Sequence, residues 1–148
     1  MATDEEIKAH VERCWAHIKP ISAIYGFLLA DIEITHASQG LVRARLPLTK
    51  NQVNSKGGIH GSVSATLVDW AGGLAISSYD LREKNGVSTD IHVTYVSSAR
   101  EGDIIEVEGR ANKVGGTLAF TSVVISKVVD GVAGPVIATG NHTKYVKM

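Results

Sequence analysis

Apolar residues recur at helical spacing at the start of the chain, with Ile7, Val11, Cys14, Trp15 and Ile18 falling on one stripe. Thr3 or Asp4 caps the predicted helix, Glu5 and Glu6 suit its first turn, and Pro20 ends it. Two strands are then predicted over residues 27–35 and 41–46, joined by a turn at Ser38-Gln39-Gly40. Residues 47–59 are polar and Gly-containing and read as a loop. From Gly61 to about Ser78, apolar positions such as Val63, Leu67, Val68, Trp70, Leu74 and Ile76 cover most of a helical circumference. That predicts a helix buried nearly all round. Gly72 and Gly73 oppose it by about 1 kcal/mol each relative to Ala. Small residues also let a sheet approach a helix backbone closely, so packing is expected to override propensity.

From Val87 the period switches to two. Ile91, Val93 and Tyr95 alternate with Asp90, His92 and Thr94, and Ile105, Val107, Gly109 and Ala111 alternate with Glu106, Glu108 and Arg110. Val114-Gly115-Gly116 turns the chain into a strand over 117–129, and Asp130-Gly131 turns it into another over 136–146. Two strands, one buried helix and four further antiparallel strands predict an α+β architecture. Its form would be a curved six-stranded antiparallel sheet wrapped around a central helix, with an N-terminal helix. Without repeats, linkers or low-complexity tracts, residues 1–148 read as a single domain, of which 1–20 form an N-terminal helical segment.

Composition narrows the function classes. Fifteen Lys and Arg balance 15 Asp and Glu, so no field of one sign draws the protein to nucleic acid or to a membrane surface. Anion binding must then fall to local basic residues. The lone Cys14 excludes an internal disulfide, fits a reducing compartment, and reads as a small apolar residue on the first helix. No apolar run is long enough for a membrane span. The start Met-Ala-Thr-Asp-Glu-Glu has neither a secretory nor a transit character, so a cytoplasmic location is expected, with a mitochondrial pool left open. Six histidines without a cysteine cluster or His-x3-His spacing give no metal signal. His92 and His142, on alternating strands, read as structural or exposed.

The candidate chemistry lies where the loop enters the central helix. Asn54-Ser-Lys-Gly-Gly-Ile-His60-Gly61 brings backbone N–H donors to a helix N-terminus, where an oxyanion can be stabilised. Asp69, eight residues on, is the only acid between Glu33 and Asp80. Donors at a helix start and an isolated carboxylate are parts that acyl transfer to water requires. Thiolate leaves readily, so one acid without a serine triad can suffice for a thioester.

An antiparallel sheet curled round a helix that is entered through Asn-x5-His-Gly and carries Thr66-Leu67-Val68-Asp69 resembles the hot-dog acyl-CoA thioesterases. Further matching residues are Val87-Ser88, Thr94-Tyr95, Gly116-Thr117-Leu118-Ala119-Phe120-Thr121-Ser122 and His142-Thr143-Lys144, so the similarity runs from about Asn54 to the C-terminus. It implies hydrolysis of an acyl-CoA to free acid and coenzyme A, with no cofactor, coenzyme A being part of the substrate. By position, the Gly61 N–H and Asn54 would polarise the carbonyl, Asp69 and Ser88 would hold and activate water, and His60 would lie in the same pocket with its role open. The coenzyme A cleft would be lined by Tyr95, Val96, Ser97, Ser98, Ala99 and Arg100, by Lys113, Val114, Gly115, Gly116, Thr117 and Leu118, and by Tyr145, with Asp90 nearby. Lys50, Lys56 and Arg82 are further phosphate candidates. Ser62 departs from the family, in which a second Gly commonly follows His-Gly.

Eight residues of helix separate Gly61 from Asp69 by roughly 12 Å. If both act on one carbonyl, they come from different subunits, and a homodimer is required, with a homotetramer expected from the family. Two alternatives remain at this level. One is a hot-dog dehydratase of 3-hydroxyacyl thioesters, against which the absence of proline between Pro47 and Pro135 counts. The other is a non-catalytic acyl-CoA-binding protein.

Overall fold

In the computed structural model, which describes residues 1–148, the first helix α1 spans Asp4–Ile18 and is capped by Thr3, whose hydroxyl accepts from the Glu6 N–H at 3.2 Å. Ile7, Val11 and Trp15 bury the α1 stripe; Cys14 is half-buried and Ile18 is exposed. Trp15 stacks edge-on against Trp70 at 5.4 Å between ring centres, which ties α1 to the central helix.

One predicted element is different. Residues 27–32 do not belong to a strand, and only 33–35 of the predicted span do. A short helix, α2, spans Ala23–Leu28, capped by the Ser22 hydroxyl, and the first strand β1 is Glu33–Ser38. Six residues are too few for helical periodicity to register, and the run Phe27-Leu28-Leu29 fits a strand equally well.

β2 is Leu41–Pro47, paired antiparallel with β1 through a turn in which Gly40 has φ +74°. A 3-10 turn, Lys50–Gln52, interrupts the predicted loop. The central helix α3 spans Gly61–Asp80, followed by β3 Val87–Tyr95, β4 Ile104–Val114, β5 Leu118–Val129 and β6 Val132–Tyr145. The strands form one antiparallel sheet in the order β1-β2-β4-β5-β6-β3. Both Asp130 (φ +51°) and Gly131 (φ +79°) are left-handed between the paired Val129 and Val132, the mirror-image turn that suits a hairpin's twist.

The core forms where the sheet's inner face, including Val42, Leu46, Val107 and Ile125, meets Val63, Leu67, Val68 and Leu74 of α3. Glycines set how close they come. A Cβ at Gly109 of β4 would lie 2.6 Å from the Ala71 carbonyl oxygen, and one at Gly140 of β6 would lie 2.6 Å from Val68 Cγ2. The small residues that weaken α3 as an isolated helix are therefore what its packing requires. Gly109→Ala has a backbone atom in its way and is expected to cost about 1–3 kcal/mol, read as a lower urea midpoint at unchanged slope.

β3 is a sheet edge, and nearly all of its residues are exposed, Val87, Ile91 and Tyr95 among them. A long exposed edge carrying apolar side chains is unusual for an isolated chain.

Candidate active site at the two ends of one helical stretch

The predicted site residues fall into two groups. The first surrounds the mouth of α3. Asn54 Oδ1 accepts from the N–H groups of Lys56 (2.9 Å) and Gly58 (3.2 Å), closing the loop before the helix and leaving its Nδ2 hydrogens uncommitted within the chain. His60 is the N-cap of α3: its Nδ1 accepts from the Ser62 N–H at 3.0 Å and lies 2.8 Å from the Ser62 hydroxyl. An accepting Nδ1 carries no proton, so the neutral ring holds its hydrogen on Nε2. Ser62, the departure from the family pattern, thus supports the cap.

The Gly61 N–H has no acceptor in the chain, because the cap bonds serve Ser62 and Val63. It stands at the positive end of a helix of 20 residues. Tyr95 closes over it from the end of β3, donating from its hydroxyl to the Gly61 carbonyl at 2.9 Å, with its ring 3.3 Å from where a Gly61 Cβ would sit. Val96, Ser97 and Ser98 follow; Ala99 is buried in the core and its carbonyl accepts from the Ile59 N–H at 2.8 Å. Arg100 bridges to Gly58 and makes no ion pair. The stretch from Tyr95 to Arg100 therefore borders the Asn54–Gly61 loop.

The second group surrounds Asp69. Its Oδ2 accepts a hydrogen bond from the Tyr25 hydroxyl, and its Oδ1 lies 3.7 Å from His142 Nε2. His142 Nε2 is in turn 2.7 Å from the Ser88 hydroxyl oxygen. His142 is fully buried on β6 and its Nδ1 has no partner. Burial, followed by the nearby Lys144 cation, holds the His142 pKa below its ordinary value against the pull of Asp69, so the ring is neutral at pH 7. Gly72 makes room for it: a Cβ there would lie 3.0 Å from His142 Nδ1 and 2.6 Å from the Thr121 hydroxyl.

Asp69 and Tyr25 also line a cavity of about 800 Å³ between α1, α3 and residues 83–86, together with Trp70 and Lys144. Lys144 is buried, donates to Asn85 Oδ1 at 3.1 Å, and has its pKa lowered by that burial.

The model of the thioesterase superfamily matches residues 56–133, which hold His60, Gly61, Asp69 and Ser88. The chain belongs to that superfamily. Human acyl-coenzyme A thioesterase 13 is 35% identical over 119 residues, covering 80% of this chain and 82% of that protein. Among solved structures, thioesterase superfamily member 2 from zebra fish (29% identity) and from Mus musculus (27%) each superpose with a TM-score of 0.80 over 99% of both chains.

Within this superfamily member, the other expected cleft residues follow the same division. Leu118, Tyr145 and Val87 are cross-strand neighbours, so the turn carrying Lys113, Val114, Gly115, Gly116 and Thr117 lies at the Ser88 end of β3. Tyr95 and its successors lie at the other end, about 25 Å away for nine residues of strand. Asp90, paired with Thr143, sits between them. Sequence reasoning missed two members of the Asp69 cluster. Tyr25 lies between Pro20 and the strand predicted from residue 27, in a stretch given no element, although Ser22 before an apolar run is a helix-start signal. His142 reads from the sequence as structural or exposed; its place in the family-matching His142-Thr143-Lys144 is the one signal that could have raised it.

Proposed function

We propose that this chain is an acyl-CoA thioesterase, hydrolysing a thioester of coenzyme A to the free acid and coenzyme A by base-assisted attack of water. The observation that carries it is the pairing on α3 of an uncommitted Gly61 N–H with an acid, Asp69, whose Oδ1 lies 3.7 Å from His142 Nε2, the atom that also contacts the Ser88 hydroxyl. The chemistry that the human relative's name states is the chemistry such parts can perform.

In this reading the thioester oxygen accepts from the Gly61 N–H and from Asn54 Nδ2, and the helix dipole adds to their pull. Water, held by the Ser88 hydroxyl, gives its proton to Asp69 Oδ1 as its oxygen bonds to the carbonyl carbon. The tetrahedral intermediate collapses with cleavage of the C–S bond. The coenzyme A thiolate leaves and is protonated from Asp69 or solvent. Neutral His142 orients Ser88 through the hydrogen bond between its Nε2 and the Ser88 hydroxyl. His60 serves as the helix cap that holds the Gly61 N–H in place.

The site is assembled from two chains. Along one continuous helix Gly61 and Asp69 are about 12 Å apart, too far to reach one carbonyl. The exposed edge β3 supports a two-fold partner, which brings the Gly61 end of one chain to the Asp69 end of the other. The same symmetry joins the Arg100 and Lys113 ends of the cleft, whose cations suit the phosphates of coenzyme A. A dimer of such dimers is the proposed assembly in the cytoplasm. The test is release of coenzyme A thiol by the purified protein across a panel of acyl-CoAs. Saturable hydrolysis of at least one is expected; saturable binding without thiol release would make it an acyl-CoA-binding protein instead.

A further inference from the structure

We infer that Tyr25 is a positioning residue for Asp69, fixing which carboxylate oxygen accepts the proton of water. The inference rests on the proposed hydrolysis and concerns how that same site is aimed. Tyr25 stands on α2, the helix that the sequence pattern did not reveal, and its ring packs edge-on against Trp15 at 6.1 Å between centres. The ring is thus held by α1, while its hydroxyl reaches 44 residues along the chain to donate to Asp69 Oδ2.

That one bond divides the carboxylate's two oxygens. Oδ2 is occupied by a donor of its own chain. Oδ1, 3.7 Å from His142 Nε2, is beyond hydrogen-bond distance of it and remains free to accept from water beside the Ser88 hydroxyl. Without the tether, an Asp69 side chain about one-third exposed can rotate about its terminal bond and offer either oxygen in several directions. A base needs its accepting lone pair within hydrogen-bond reach of the proton it takes, and small misplacements are expensive. The hydroxyl is suited to this task because it remains protonated. Burial, and then the hydrogen bond to and charge of Asp69, all oppose formation of the phenolate.

Tyr25→Phe tests this with little disturbance of the fold, since the ring and its contact with Trp15 are kept. With an acyl-CoA that the unaltered protein hydrolyses, kcat is expected to fall about ten- to a hundredfold with KM nearly unchanged. The same substitution placed in Asp69→Asn is expected to cost nothing further, because the hydroxyl acts only through the carboxylate. Two results overturn the inference: a kcat for Tyr25→Phe within about twofold of the parent, or an undiminished effect in the Asp69→Asn background. These are distinguishable from failure of the functional reading. If Asp69→Asn itself hydrolyses at the parent rate, the proposed mechanism falls; if Asp69→Asn is inactive and Tyr25→Phe is fully active, only the role of Tyr25 falls.

Discussion

Asp69→Asn is expected to lower kcat for acyl-CoA hydrolysis by about 10²- to 10⁴-fold, the range associated with loss of a positioned base. The amide is nearly isosteric, and its carbonyl oxygen can still accept from the Tyr25 hydroxyl, so the contact that joins α2 to α3 survives. What is lost is an oxygen able to take a proton from water. Thermal unfolding should therefore change little, and acyl-CoA should still bind, because Asp69 is not asked to hold the substrate. The measurement is thiol release beside substrate binding on the same preparation. A variant that hydrolyses at the parent rate would remove Asp69 from the mechanism.

The second large effect is restoration of activity by mixing two inactive chains. Gly61→Pro deletes the N–H proposed to hold the carbonyl oxygen and should cost about 2.7–4 kcal/mol of barrier, a factor of roughly 10² to 10³. The helix should tolerate it. Proline is favoured at a first helical position, and His60 already has the extended backbone (ψ 138°) that a following proline demands. Tyr95, 3.3 Å from the Cβ position, must shift slightly. When Gly61→Pro and Asp69→Asn chains are unfolded together and refolded as a mixture, half the dimers are mixed and each contains one intact site. Activity should then recover to about a quarter of the parent value. Recovery requires that Gly61 of one chain work with Asp69 of another. If the mixture stays inactive while mixed dimers form, the site is not shared.

These expectations rest on parts of unequal legibility. The long helix and the hairpins were readable because each follows from neighbouring residues: eight apolar positions recur through α3, and Asp130-Gly131 is a turn whose two residues both adopt the left-handed backbone it needs. The helix entrance at Gly61 was readable as well, since a Gly-rich loop before a helix presents backbone donors locally, whereas the role of Asn54 came from the family resemblance. α2 was not, because six residues carry too little periodicity to separate helix from strand. The partners of Asp69 were not readable either. Its neighbours in sequence describe an apolar helix, and nothing in them points to Tyr25 or to the buried His142.

By itself the sequence determined the α+β plan, the place where the chain presents a helix N-terminus, and the isolation of one acid within α3. These are short-range matters, governed by side-chain period, turn conformation and backbone donors. Only the tertiary structure decided what that acid touches. The Tyr25–Asp69 bond spans 44 residues and joins α2 to α3, and the Ser88–His142 contact spans 54 and exists because Gly72 leaves room for the buried histidine against the helix. Contacts of that range depend on how whole elements pack, which no local pattern of residues records.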